Sequence, residues 1–174
     1  MPNSFLPYSA QYIDDEDIAA VVETLKSSYL TTGPKVREFE DAIAARVGAR
    51  HAVAVSSGTA GLHTACAALR LEPGDEVVVP AVTFIATANA VKYVGGVPVF
   101  ADVDPTTGLM SLDTLKEVVS DRTRAVIPVH LTGRSVDMGP IHEFCSARGI
   151  RIIDDAAHAF GTTYRGRQVG AGDY

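Results

Sequence analysis

Long apolar runs, basic stretches and cysteine are all scarce in this sequence, and each shortage excludes something. No apolar run reaches the roughly 20 residues that a membrane-spanning helix needs, so an integral membrane protein is not expected. The opening residues, MPNSFLPYSAQYIDDEDI, show no basic segment followed by an apolar one, so no secretory leader is read there. Two cysteines build neither a disulfide framework nor a zinc cage on their own. Lys and Arg number 15 against 21 Asp and Glu, a formal net charge of −6 with no dense basic run, which argues against a dedicated nucleic-acid binder. What is present points to a cytosolic globular protein. The chain is 47% hydrophobic and 21% charged, which excludes a disordered tail, and its 174 residues suffice for one domain with a sizeable core.

The N-terminal 50 residues read as a helical segment. Ile18, Val21, Val22 and Leu25 recur at helical spacing between Asp14 and Ser27, with acidic residues at the start and Lys26 in the last turn. Pro34 opens a second helix that is expected to bury Val36, Phe39, Ile43 and Val47 and to stop at Gly48. From residue 51 the rhythm changes. Short apolar runs at 51–57, 76–83, 98–104, 124–131 and 151–157 read as five strands. Helical stretches at 58–70, 85–94, 111–119 and 138–148 lie between them, with Ser111 and Asp137 as N-caps and Gly149 as a C-terminal stop. This alternation predicts an α/β fold of three layers, α/β/α, around a mostly parallel sheet. No internal repeat or linker interrupts residues 51–174.

Open parallel sheets bind ligands outside the carboxyl ends of their strands, so the residues just beyond each strand carry the functional signal. Ser56-Ser-Gly-Thr-Ala60 enters a helix whose free N–H groups suit an anion, most naturally a phosphate; an ordinary capped helix start reads the same way. Phe84 could stack on a planar ligand or be a core residue. Asp154 and Asp155 end the fifth run on opposite faces, and a buried strand seldom ends so without partners. Asp155 could meet a ligand with His158 beside it, or cap the next helix with His158 satisfied in the core. His130 reads equally well as part of a structural turn, and His51, His63 and His142 as packing or surface residues. Cys66 and Cys145 read as structural thiols. Neither a dinucleotide glycine fingerprint nor a P-loop occurs. Together the candidates describe a ligand with a phosphate, a flat ring, and a basic ring nitrogen that a carboxylate keeps protonated. That is the electron sink of pyridoxal phosphate chemistry.

The residues that carry this description also resemble those of a known family. Leu30-Thr-Thr-Gly-Pro34, Ala54-Val-Ser-Ser-Gly-Thr-Ala60, Gly74-Asp-Glu-Val77, Thr83-Phe84, Asp102-Val-Asp-Pro105, Pro128-Val-His130, Asp154-Asp-Ala-Ala-His158 and Tyr164-Arg-Gly166 are similar, in order, to the DegT/DnrJ/EryC1/StrS sugar aminotransferases. Within that group the likeness is nearest to enzymes that aminate C4 of a UDP-linked 4-keto sugar, with flagellin-glycan and bacillosamine relatives close behind. The resemblance implies the type I aspartate-aminotransferase fold, with residues 51–174 as the N-terminal part of its large, cofactor-binding domain. It implies pyridoxal 5'-phosphate, with Gly58, Thr59 and Ala60 on the phosphate, Phe84 on the ring, Asp155 on the ring nitrogen and His158 near the phenolic oxygen. Tyr29, Thr31 and Thr32 would line the sugar pocket. It also implies a nucleotide-sugar substrate, an amino-acid donor (usually glutamate), a homodimer when full length, and a role in cell-surface polysaccharide or glycan synthesis.

One departure is large. The family's cofactor-bearing lysine lies in S-F-H-x-x-K, downstream of a segment like Gly172-Asp173-Tyr174, where this sequence ends. None of Lys26, Lys35, Lys92 and Lys116 follows the fifth run, so no catalytic residue is assigned. The remaining strands and the small C-terminal domain are expected to be absent too, leaving a part of an aminotransferase without appreciable activity. Two alternatives stand beside that reading. Some relatives use the same cofactor for sugar C3 deoxygenation, and a truncated chain could be a non-catalytic fragment.

Overall fold

The computed structural model describes residues 10–170 and residue 172. The sequence-predicted Asp173 and Tyr174 therefore lie outside the described residues. Four strands form one parallel sheet: β1 (Glu76–Pro80), β2 (Val97–Ala101), β3 (Thr123–Val126) and β4 (Arg151–Ile152), in the order β2-β1-β3-β4. Its helices are α3 (Gly58–Ala68), α4 (Ala86–Tyr93), α5 (Leu112–Lys116) and α6 (Met138–Ser146); α1 (Asp15–Lys26) and α2 (Pro34–Val47) precede them.

The central strand β1 is buried on both faces, whereas Val97 and Phe100 of the edge strand β2 are exposed. All five β1 residues are buried. Val77, Val79, Ala125 and Ile127 face α3 and α4 with Cys66, Ala88, Ala90 and Val91. Val78 and Val126 face the other way, against Leu115 of α5 and Met138, Ile141 and Cys145 of α6. Period-two alternation thus builds two cores on one sheet, the expected three layers. His63 and Tyr93 seal the α3–α4 contact edge-to-face at 5.3 Å between ring centroids.

Local chemistry sets the helix ends, as expected at Ser111 and Gly48. Asp14 closes a capping box on α1, Ser111 closes one on α5, and Gly48 ends α2 at φ +75. Asp137 departs from expectation. It precedes α6 without capping it; Gly139 instead donates its N–H to the Tyr164 hydroxyl at 3.1 Å, which in turn donates to Asp137. This docks a hairpin of β5 (Thr163–Tyr164) and β6 (Arg167–Gln168) onto α6, and burial together with the Asp137 carboxylate raises the Tyr164 pKa. At the amino edge of the sheet, the buried Glu76 accepts from Ser120 Oγ at 2.5 Å and from Arg122, which together hold its carboxyl below the usual range.

Two expectations fail. Residues 51–57 form no strand. A strand needs a ladder, and among the described residues none runs beside this segment; Val53 is 77% exposed. Helix α2 forms, but its apolar stripe is only partly covered: Val36 is 45% and Phe39 57% exposed while Ile43 and Val47 are half-buried, and Ile18, Val21, Val22 and Leu25 of α1 are exposed as well. Helical spacing establishes that a face is apolar but not what lies against it.

Cys66 and Cys145 are fully buried, and burial pushes each thiol pKa from 9.0 up to about 11. Both should react with a disulfide reagent at pH 8 only after unfolding, when two thiols per chain appear. Because the raised pKa belongs to the folded state, the thiols' contribution to stability is complete below pH 9 and is lost toward pH 11. Urea titrations across that window should show the decline, and a Cys66→Ala/Cys145→Ala double variant should show less of it.

Candidate active site

The chain leaves β1 for β2 on one side and returns to place β3 on the other, so the order reverses between β1 and β3. The crevice beyond the carboxyl ends of those strands is the expected ligand position. The segment after β1 supplies Thr83 and Phe84, that after β3 supplies His130, and that after β4 supplies Asp154 and Asp155. Helix α3 runs toward the amino end of β1, which it precedes, so its first residues lie at this same carboxyl edge.

Asp155 is held from three directions. Its N–H donates to the Pro128 carbonyl at 3.0 Å, and its own carbonyl accepts from the His130 N–H at 3.1 Å, a parallel bridge with Val129. One carboxylate oxygen accepts from Thr87 Oγ1 at 3.3 Å and the other from the Ala157 N–H at 3.3 Å. The Thr87 hydroxyl is fully buried and also bonded to Thr83 Oγ1 at 2.9 Å. Asp154 turns the opposite way, to His130 Nε2 at 2.5 Å. The two faces expected from alternation are therefore realised, and Asp155 is on the α3–α4 side with Ile153. Asp155 is half-buried, a carboxylate oriented by its own backbone and a threonine rather than a helix cap.

Phe84 is 69% exposed, which removes the core alternative and leaves an aromatic ring open at the crevice. At α3, Ser57 Oγ caps the Ala60 N–H at 3.1 Å. The N–H groups of Gly58 and Thr59 precede the first possible intrahelical bond, and the space above Gly58 is open. His158 is not in the core. It is exposed, and its Nδ1 accepts the Thr132 N–H at 3.2 Å instead of approaching Asp155. Thr132 and Gly133 turn through φ +58 and +82, and a Cβ at Gly133 would stand 3.0 Å from the His158 carbonyl.

Tyr29, Thr31 and Thr32 lie in the exposed turn between α1 and α2; Tyr29 is 65% exposed. The lysines stand elsewhere as well. Lys35 pairs with Glu38 at 2.9 Å, Lys92 sits in the last turn of α4 at the amino edge, Lys116 lies 5.9 Å from the Phe144 ring centre, and Lys26 ends α1. Thr87 and His130 are the residues the sequence reading missed. For His130 the available signal was its place immediately after a strand at the ligand edge; for Thr87 there was none.

Residues 11–174 match the DegT/DnrJ/EryC1/StrS aminotransferase family. The chain belongs to that family. It is 41% identical over 170 residues to the UDP-4-amino-4-deoxy-L-arabinose–oxoglutarate aminotransferase of Shewanella sediminis, covering 98% of this chain and 44% of that protein. It is 47% identical to the spore coat polysaccharide biosynthesis protein SpsC of Bacillus subtilis, covering 97% and 43%. The GDP-4-keto-6-deoxy-D-mannose-3-dehydratase of E. coli, solved with bound hydrated PLP, superposes with a TM-score of 0.88 at 31% identity, covering 94% of this chain and 44% of that one. This family member thus has the fold of the type I PLP-dependent transferases and spans less than half the length of these relatives. PLP is the family's cofactor. The groups at the crevice suit it: free backbone donors for a phosphate, an open aromatic ring, and an oriented carboxylate for a basic nitrogen.

Replacing Thr87 by Val keeps the shape but removes the hydroxyl that bonds Asp155. Urea unfolding should show a loss of about 0.5–1.5 kcal/mol, and Thr87→Ser should recover most of it. An unchanged midpoint in Thr87→Val would mean that the hydroxyl does not hold the carboxylate.

Proposed function

We propose that this chain is the cofactor-holding part of a PLP-dependent aminotransferase that aminates a nucleotide-linked 4-keto sugar, UDP-linked by preference, with glutamate as donor. The overall exchange converts the sugar ketone and glutamate into an amino sugar and 2-oxoglutarate. The observation that carries the reading is Asp155, fixed at the switch-point crevice by Thr87, Ala157 and its own backbone. The substrate class follows the relatives, one named for UDP-4-amino-4-deoxy-L-arabinose and oxoglutarate, the other for spore coat polysaccharide synthesis. Cell-surface polysaccharide synthesis, a cytoplasmic location and a homodimer for the longer protein belong to the same reading.

When bound, pyridoxal phosphate supplies an electron sink for the donor's Cα carbanion. The residues of this chain bind and orient it. The N–H groups at Gly58 and Thr59, with Ala60 next in the turn, hold the phosphate at the positive end of α3. Phe84 packs on the ring face. Asp155 keeps the ring nitrogen protonated, because a carboxylate within hydrogen-bond reach favours the cationic form. His158, with Nδ1 occupied by the Thr132 N–H, has Nε2 as the nitrogen able to donate to the phenolic oxygen. Tyr29, Thr31 and Thr32 are assigned to the sugar once the longer protein folds around them. The general acid–base step at Cα needs an amine that none of the four lysines supplies from its position, so this part on its own should not transaminate.

Titration of the chain with pyridoxal phosphate, followed by its absorbance and by equilibrium dialysis, tests the assignment. The chain should bind saturably, Asp155→Ala should weaken binding at least tenfold, and turnover of glutamate should be indistinguishable from background. Equal affinity in Asp155→Ala, or no binding at all, favours the reading of a non-catalytic fragment. Sugar amination rather than C3 deoxygenation by the longer protein would separate the transaminase from the dehydratase alternative.

A further inference from the structure

The His130 imidazole is completely buried, yet it lies at the ligand edge of the sheet and touches neither solvent nor Asp155 through its ring. Its contacts explain why it is there. Nδ1 accepts the Val136 N–H at 2.9 Å, so Nδ1 carries no proton. The proton is then on Nε2, which donates to Asp154 Oδ1 at 2.5 Å. The backbone N–H of the same residue donates to the Asp155 carbonyl at 3.1 Å. One residue therefore grips both aspartates, Asp154 by its ring and Asp155 by its main chain.

We propose that His130 is the positioning residue for Asp155: its ring anchors Asp154 and so aims the neighbouring carboxylate at the cofactor nitrogen. The inference rests on the cofactor reading above. Consecutive residues of an extended chain project to opposite faces, so anchoring Asp154 on the α6 side fixes the rotation of the strand end. Asp155 is then directed to the α4 side, where Thr87 meets it. The turn that begins at His130 also supplies the Thr132 N–H to His158, and Gly133 accepts from Thr162 Oγ1 at 2.8 Å. The same clamp thus holds the two residues assigned to the cofactor's nitrogen and its phenolic oxygen. A phenylalanine would fill the volume without anchoring Asp154. A glutamine would retain a donor at about the reach of Nε2.

The test uses 15N-pyridoxal phosphate bound to this chain, with dialysis for affinity and the ring-nitrogen resonance for its protonation. In the wild type the cofactor should bind with a pyridinium-type shift. His130→Phe should weaken binding about tenfold and move the shift toward neutral pyridine, and His130→Gln should restore most of both. Asp154→Leu, which removes the acceptor and leaves the histidine in place, should weaken both readouts in the same direction. If His130→Phe does not fold, Asp154→Leu together with 15N-imidazole spectra of the wild type decides the matter. A protonated Nδ1, or a pyridinium shift and affinity unchanged in Asp154→Leu, overturns the proposal. Wild-type affinity and shift in a folded His130→Phe overturn it too, while loss of both in Asp155→Ala keeps the cofactor reading standing. Failure of the wild type to bind, or indifference to Asp155→Ala, removes the cofactor reading and this inference with it.

Discussion

The arrangement of the candidate site depends on a backbone register that continues past the end of regular pairing. β4 is two residues long, but its chain keeps following β3: Ile153 donates to the Val126 carbonyl, Asp155 to Pro128, and His130 returns a bond to Asp155, each at 3.0–3.1 Å. A one-residue slip here would exchange the faces of Asp154 and Asp155, taking Asp154 away from His130 and Asp155 away from Thr87. Burying a carboxylate without its partner is costly, so the His130–Asp154 pair also serves as a register lock.

The sheet separates its two edges chemically. At the amino edge Glu76 is held in its charged form by the Ser120 hydroxyl and the Arg122 guanidinium, and Asp75 pairs with Arg124 at 3.1 Å; this edge satisfies its charges internally. At the carboxyl edge the groups are oriented but turned outward: Phe84 is exposed, the first N–H groups of α3 are open, and Asp155 is half-buried. Rigid support beneath groups that retain bonding capacity is the condition for a preorganised binding site. The supporting elements are the two cores on either face of the sheet, which fix α3 and α4 relative to β1 and β3.

Away from that core the molecule shows surfaces of a different kind. Helix α1 and the start of α2 present exposed apolar residues, and residues 51–55 form no regular element, with the Ala54 N–H donating to Glu40 at 2.9 Å. Tyr29, Thr31 and Thr32 belong to this region. Their assignment to a sugar pocket belongs to the proposed function, and the chain covers less than half the length of the relatives it matches.

Much of this was legible in the amino-acid order. Short apolar runs and helical spacing placed the four sheet strands and six helices, the cap at Ser111 and the stop at Gly48 set two helix ends, and the paired aspartates pointed to the ligand edge, because these signals are local and need only a few residues of chain. Burial was not legible for α1 and α2, nor strand pairing for 51–57, because each requires a partner surface that spacing cannot name. His130 reads as a turn residue until β3 and the end of β4 lie side by side, and Thr87 as one helix residue among several until α4 packs over Asp155. Asp137 reads as a cap until the Tyr164 hydroxyl takes the amide it would have bonded. Composition and periodicity determined an α/β sheet with chemistry at its carboxyl edge. Only the tertiary structure decided which side chains hold Asp155, since contacts between residues 24 and 68 positions apart exist only after the strands have come together.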